Sequence, residues 1–359
     1  MSDLQQTPLI DFHKALQARC VPFAGWEMPV SYAGIIEEHL AVRQACGFFD
    51  VCHMGEFVVS GPESELFLDR ALTNRIAGTP AGKAVYSPLC DEDGGTIDDL
   101  IVYRRGVEDF LIVVNASNID KDFAHFEKLA KDYEVALANI SAETGLIAVQ
   151  GPKAVELVAS LAPGATLPKR FWHAEATVAG IACRLSRTGY TGEDGFEIFC
   201  AAGDAVALAE ALTAAAPAYG AQWCGLGARD SLRLEAGYPL YGHELSEQIS
   251  PLMAGLGWAV KLDKEAFVGR EALLKQSKDT ELPQVKFYTL EGRRIARGHT
   301  PVLDAETREV GRILSGTMSP VLNQPIGSAL VNPLGTPPLH VELRGHPTML
   351  DFKKPPLHK

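Results

Sequence analysis

The sequence predicts an α+β protein made of two related α+β subdomains and a small C-terminal β-barrel, and three observations carry that expectation. Phe57–Glu63 and Ile147–Lys153 each read as a strand running into a Gly-Pro turn and then a helix, with Leu66 and Phe67 in one helix and Val155 and Leu157 in the other. Two such units ninety residues apart indicate a repeated supersecondary module. From Lys286 onward the character changes: short β-like runs are punctuated by Gly298, Gly311, Gly316, Gly327, Gly335 and several prolines, the composition of a small barrel.

Taken in order, Thr7-Pro8 reads as an N-cap followed by proline at the first helical position, with Leu9, Phe12 and Leu16 as an apolar stripe. A second helix is expected from about Gly34 to Cys46, stopped by Gly47. Between the two repeat units lie hairpin strands near 83–90, 96–103 and 110–114, then a helix after Asn118. Strands follow around Ile181–Ser186 and Phe196–Cys200, then helices over Asp204–Ala216 and Gly227–Ala236. The polar stretch Lys275–Pro283 reads as a linker to the barrel.

Composition narrows the function. At 359 residues and 47% hydrophobic the chain can fill several cores, and its net charge of -12 with a pI near 5.3 disfavours a nucleic-acid surface, although a local basic patch stays open. The first residues lack the apolar core of a secretion signal, and no 18-residue apolar run offers a membrane span, so a cytoplasmic protein is expected. Seven scattered cysteines without a Cys-x-x-Cys pair point to reduced, buried thiols, and the ten histidines show no metal-ligand spacing, so no metal is expected. Asp91 and Asp93 start like a calcium loop, but Thr96 stands where its glycine is required and Val102 at its twelfth position.

Chemistry concentrates in a few segments. Asp98 and Asp99 are adjacent carboxylates inside a strand that follows the Gly94-Gly95 turn; alternation puts Asp99 with Ile97 and Ile101 and Asp98 with Leu100 and Val102, so one acid must face apolar neighbours. The segment Gly189–Glu197 has the wrong glycine spacing for a dinucleotide fingerprint, and no phosphate-loop sequence exists. It does place Glu197 between Phe196 and Ile198, where a charge wants a partner. Arg229 and Arg233, at i,i+4 in the predicted helix Gly227–Ala236, are candidate partners, or else a salt-bridged helix face.

Together with Asp50-Val51-Cys52-His53-Met54-Gly55-Glu56 and Phe23-Ala24-Gly25-Trp26, these segments resemble, over essentially the whole chain, the aminomethyltransferase (T-protein) family of the glycine cleavage system. The resemblance implies a three-domain cloverleaf: a discontinuous α+β domain over 1–55 and 140–275, a second over 56–139 bearing the paired aspartates, and the β-barrel over 284–359. It implies Asp99 as the catalytic carboxylate and Met54, Tyr86, Asp98, Asn115, Tyr190, Glu197, Arg229 and Tyr238 as folate-lining residues. It further implies tetrahydrofolate as acceptor and a lipoylated carrier, the H-protein, as partner. The family's C-terminal basic residue, commonly arginine, is represented only by the Lys354–Lys359 tail, and lysine lacks the planar fork. A glutamate can accept from adjacent pterin N–H groups, and a guanidinium can donate to the ring carbonyl. Three rivals are weighed: a folate-dependent demethylase of the same superfamily; a folate-binding iron-sulfur assembly factor with a Lys-Gly-Cys signature, whereas none of these cysteines follows Lys-Gly; and an interaction module with a vestigial site.

Overall fold

The computed structural model describes residues 4–359, which group into two compact units: residues 4–67, Gly78–Val85 and Leu100–Asp230 form one, and Leu68–Ala77, Tyr86–Asp99 and Ser231–Lys359 the other. Among the described residues no helix is long and apolar enough to cross a membrane.

The repeat seen in the sequence is a repeat of topology. Strand Gly55–Ser60 leads through Gly61-Pro62 into helix Ser64–Ala71, then into a three-strand meander, Ala84–Cys90, Thr96–Arg104 and Asp109–Val114, then helix Ile119–Ala130 and strand Ala136–Asn139. Strand Thr144–Gln150 does the same through Gly151-Pro152, helix Ala154–Leu161, the meander His173–Val178, Ile181–Ser186 and Gly195–Ala201, helix Ala205–Tyr219 and strand Ala221–Trp223. In both sheets the third meander strand pairs with the strand that starts the module. The second sheet differs by taking Cys46–Asp50 between Thr144–Gln150 and Ala221–Trp223. Gly61 at φ +115° and Gly151 at φ +137° make the matching turns, where a side chain would be strained and would also strike backbone oxygens.

Thr144–Gln150 is central to the six-stranded sheet and is buried from Gly145 to Gln150. Ile147, Val149, Phe196 and Ile198 pack there with Leu157 and Val158 of one helix and Leu208 and Leu212 of another. Each such side chain stabilises by roughly 1.5–3 kcal/mol relative to exposure.

Two local expectations change. The first helix is Ile10–Ala15, with Leu9 at its N-cap; the Thr7 hydroxyl accepts from the Leu9 N–H at 3.3 Å and donates to the buried Asp50 carboxylate at 2.7 Å, Leu16 is exposed, and Leu9, Ile10 and His13 form the buried face. Helix Ile35–Gln44 ends at Ala45, and Gly47 lies inside strand Cys46–Asp50, where a Cβ would come within 2.4 Å of Val42 and 2.8 Å of the Cys224 sulfur.

The C-terminal sheet has seven strands in the order His346–Met349, His340–Leu343, Pro301–Leu303, Glu309–Ser319, Gln324–Val331, Gln284–Thr289, Asp351–Lys353. Its two edge strands are consecutive in the chain, separated by Leu350 alone, so the sheet must curl back on itself as a barrel does. Tyr288, Val302, Ile313, Ala329 and Val341 fill its interior.

One ion pair fixes helix Leu226–Ala236 to this barrel. Arg233 Nη1 donates to Glu244 at 2.8 Å and Nη2 to Ser315 Oγ at 2.9 Å, Ser328 also donates to Glu244, and both charged side chains are almost wholly buried. Burial pushes the Glu244 carboxyl up, but the Arg233 charge and the donors around it outweigh that and hold it below the usual range.

Arg233→Ala should therefore cost about 3–5 kcal/mol, because Glu244 is left buried without its cation. Glu244 contributes stability above its unfolded pKa that is lost as pH falls through the folded one, so Glu244→Gln should flatten the acid limb of a pH–denaturation curve. Glu56 has the opposite sign: it is fully buried, neither carboxyl oxygen has a hydrogen-bond partner among the described residues, and burial raises its pKa well above normal. Its contribution is complete below the unfolded pKa and is lost as pH rises, so Glu56→Gln should gain stability over the parent at about pH 8 and lose that advantage toward about pH 4, by urea unfolding.

Candidate active site

The paired aspartates occupy different environments, as strand alternation requires. On strand Thr96–Arg104, Asp98 is fully buried on the face of Leu100 and Val102, whereas Asp99 is half-buried on the face of Ile101. The deeper acid is thus Asp98, and Asp99 is the more exposed of the two. The turn that starts this strand depends on its glycines: Gly94 has φ +82°, and a Cβ on Gly95 would lie 2.2 Å from the Glu247 carbonyl oxygen.

On the neighbouring strand, the Tyr86 hydroxyl donates to Asp99 Oδ2 at 3.1 Å. The Tyr86 ring stacks on Trp258, centroids 5.5 Å apart, and Trp258 is 58% exposed. Sequence reasoning did not single out Trp258, since a lone tryptophan in a Gly-rich loop carries no pattern. Tyr238 follows the helix stop at Gly237, φ +79°; its N–H donates to the Arg233 carbonyl at 2.9 Å and its own carbonyl accepts from Arg233 Nη1 at 3.2 Å.

Arg229 organises the residues of the other unit. Its guanidinium lies over the Tyr190 ring, 4.6 Å from the centroid. Burial lowers its pKa, and the nearby Tyr190 and Glu197 act against that. Glu197 is half-buried on strand Gly195–Ala201, where its Oε2 accepts from the Thr188 hydroxyl and from the Tyr103 hydroxyl at 3.5 Å. Burial, then the Glu197 charge, keeps the Tyr103 phenol protonated far above its ordinary range, so it acts as a donor. Tyr103 and Thr188 also escaped sequence reasoning, because their role rests on pairing between distant segments.

The loop bearing Tyr190 is stapled by Gln150, which donates to the Thr188 carbonyl at 3.1 Å and accepts from Thr191 Oγ1 at 2.9 Å. Arg43 adds bonds to the Thr191 carbonyl, 2.7 Å, and to Glu193, 2.9 Å. Gly189 is required there, since a Cβ would fall 1.9 Å from Gln150 Oε1.

Met54 is half-buried at the end of the turn Val51–Met54, next to the buried His53. That turn hangs from Asp50, which accepts from Thr7, from His13 Nε2 at 2.8 Å and from the Cys52 N–H at 2.8 Å, while the Tyr32 hydroxyl lies 2.9 Å from His13 Nδ1. Burial opposes ionisation of Asp50, and these bonds, led by His13, hold its pKa down regardless. Asn115 ends strand Asp109–Val114 half-buried, and its carbonyl accepts from the Asn118 N–H at 2.9 Å to open the following helix. The structure therefore joins Tyr86 to Asp99 in one unit, and Tyr190 and Glu197 to Arg229 in the other.

Chemically, the first group offers a half-buried carboxylate beside a phenol and an exposed indole. The second offers a cation, an acid and flat aromatic walls. Among the described residues no cluster of His, Cys, Asp and Glu fit to hold a metal ion occurs.

Comparison with known proteins agrees along the whole chain. Residues 9–264 match the GCVT N-terminal domain and residues 284–358 the glycine cleavage T-protein C-terminal barrel domain. The aminomethyltransferase of Thermus thermophilus is 47% identical over 346 residues, 95% of each chain, and that of Desulfitobacterium hafniense strain DSM 10664 / DCB-2 is 46% identical over 336 residues, 93% of this chain and 91% of that one. The crystal structure of glycine cleavage system aminomethyltransferase T from Bartonella henselae superposes with a TM-score of 0.91 at 34% identity, covering 99% of this chain and 98% of that one.

Burial, opposed by Asp50 and aided by Arg229, lowers His53 to about 4. Its imidazole should stay neutral, with no titration step between about pH 5.5 and 8, in proton NMR of the histidine ring.

Proposed function

Since the chain belongs to the glycine cleavage T-protein family of aminomethyltransferases, we propose that it transfers the one-carbon unit of an aminomethyl-dihydrolipoyl arm, carried by the lipoylated H-protein, to tetrahydrofolate. The products are 5,10-methylenetetrahydrofolate, ammonia and the dihydrolipoyl thiol, so the carbon leaves both its sulfur and its nitrogen and forms two bonds to folate. The setting is cytoplasmic.

The observation that carries this reading is the half-buried Asp99 carboxylate held by the Tyr86 hydroxyl. A folate nitrogen attacking an electrophilic methylene loses a proton and passes through cationic species, and a carboxylate serves by accepting the proton or by stabilising the charge. Tyr86 orients Asp99 by donating to its Oδ2. In this reading Glu197 accepts from pterin N–H groups and Arg229 donates to the ring carbonyl. Met54, Asp98, Asn115, Tyr190 and Tyr238 complete the folate site, with Trp258 as an added aromatic wall. Thr188 and Tyr103 already donate to Glu197 Oε2, which orients its Oε1. Holding the two reactants together supplies much of the remaining rate.

The deciding experiment is a tetrahydrofolate-dependent ammonia-release assay with aminomethyl-loaded lipoylated carrier; no release above background would sink the reading. Asp99→Asn, nearly isosteric and neutral, should keep the fold and most folate affinity while losing most turnover, and near-normal turnover would remove Asp99 from its role. Glu197→Ala and Arg229→Ala should each weaken tetrahydrofolate binding by roughly 1–3 kcal/mol in calorimetric titration. Unchanged affinity in both would move the folate site elsewhere.

A further inference from the structure

An ammonium taken out of water must have its hydration replaced, and Lys264 is only 3% exposed. Main-chain oxygens at the end of helix Ser64–Ala71 supply the replacement. Lys264 Nζ donates to the Asp69 carbonyl, to the Leu72 carbonyl at 2.8 Å and to the Asn74 carbonyl at 2.9 Å, so all three of its donors are used. The Asp69 carboxylate stands 3.6 Å away. Burial lowers the pKa of Lys264 to about 8 and Asp69 acts against that, so the group keeps its three protons at neutral pH. A cation placed there also meets the negative end of the helix dipole.

The segment that Lys264 gathers, residues 72–74, is bonded on two sides. Toward residues 86–88, the Thr73 N–H donates to the Pro88 carbonyl at 3.2 Å, the Asn74 N–H to Ser87 Oγ at 3.0 Å and Asn74 Nδ2 to the Tyr86 carbonyl at 2.8 Å. Toward residues 257–264, Thr73 Oγ1 donates to the Ala259 carbonyl at 3.0 Å, and the Thr73 carbonyl accepts from the Lys261 N–H at 2.9 Å. Tyr86 and Trp258 therefore hang from one short segment, and Lys264 ties that segment to the chain that carries Trp258. The two rings stack with 28° between their planes, and the Tyr86 hydroxyl donates to Asp99 Oδ2.

We propose that Lys264 is a positioning residue for the reaction proposed above, on which this inference rests: by drawing residues 72–74 and the Trp258 segment together it sets the stack of Tyr86 on Trp258, and through it the hydroxyl that orients Asp99. Filling space alone asks for no charge at this position, since an apolar side chain would pack there without giving up hydration. Three donors on one atom do what an apolar side chain cannot, which is to tie three carbonyls of an irregular segment to a single point. The hydrogen bond from Tyr86 to Asp99 depends on that fixity, because such bonds weaken steeply with misalignment.

The test is a double-mutant cycle on the full chain, assayed with loaded lipoylated carrier and tetrahydrofolate. Lys264→Met keeps the apolar stem and removes the donors; it should lower kcat about tenfold, the scale of a small misplacement at a reacting group, and leave KM for the carrier as in the parent. In a Tyr86→Phe background, where no hydroxyl remains to be placed, the same change should cost little further. A merely structural role would reduce the active fraction by the same factor in both backgrounds, so equal losses overturn the proposal, as does a parent-like kcat in Lys264→Met. If Lys264→Met does not fold, Thr73→Val, which removes the hydroxyl bond to Ala259 and leaves Lys264 in place, carries the cycle with the same deciding outcomes. Acrylamide quenching of the Trp258 fluorescence, isolated by subtracting the Trp258→Phe variant, reads the stack without turnover. Lys264→Met, or Thr73→Val in its place, should raise that quenching, and unchanged quenching overturns the proposal. If the parent releases no tetrahydrofolate-dependent ammonia from loaded carrier, the functional reading fails, and quenching still decides whether Lys264 sets the stack.

Discussion

The buried Arg233–Glu244 pair is the constraint on which the arrangement around helix Leu226–Ala236 depends. A guanidinium and a carboxylate removed from water survive only with their hydrogen bonds filled, and here Ser315, Ser328, the Leu240 N–H and the Tyr238 carbonyl fill them. The partners come from the helix, the loop after it and two barrel strands, so satisfying one ion pair fixes the position of all of them. Tyr238 lies five residues after Arg233 and is held by it through two hydrogen bonds.

The same logic recurs at smaller scale. Asp50, with Thr7, His13 and the Cys52 N–H around it, fixes the turn from which His53 and Met54 hang. Gln150 and Arg43 do so for the loop of Tyr190. In each case a buried polar group with several donors or acceptors holds an irregular segment that could not be held by secondary structure alone. Glu56 departs from this pattern, since it is buried with no partner and stays neutral by burial alone.

Acid placement separates the two aspartates in the same physical terms. Asp98 is fully buried on the face of Leu100 and Val102, while Asp99, on the face of Ile97 and Ile101, is half-buried and accepts from the Tyr86 phenol. A partly exposed carboxylate beside a phenol donor has the access that the proposed reaction asks of it.

By itself the sequence determined the α+β class, the repeated strand-turn-helix module, the hairpin of the paired aspartates and the change to barrel strands after Lys286. Each of these is written in local signals: the period of apolar residues, Gly-Pro turns and glycine punctuation. Only the tertiary structure decided which aspartate lies deeper, that the Thr7 hydroxyl which accepts from the Leu9 N–H also donates to Asp50, that Gly47 is a close-packed strand residue, and that Arg233 is a buried anchor while Arg229 lies against Tyr190. It also brought Tyr103 and Thr188 to Glu197 and Trp258 to Tyr86. Partners such as Arg233 and Ser315, or Tyr103 and Glu197, are separated by more than eighty residues, so no local pattern encodes their meeting. Strand alternation says that one face is buried, but which face is settled by what packs against it.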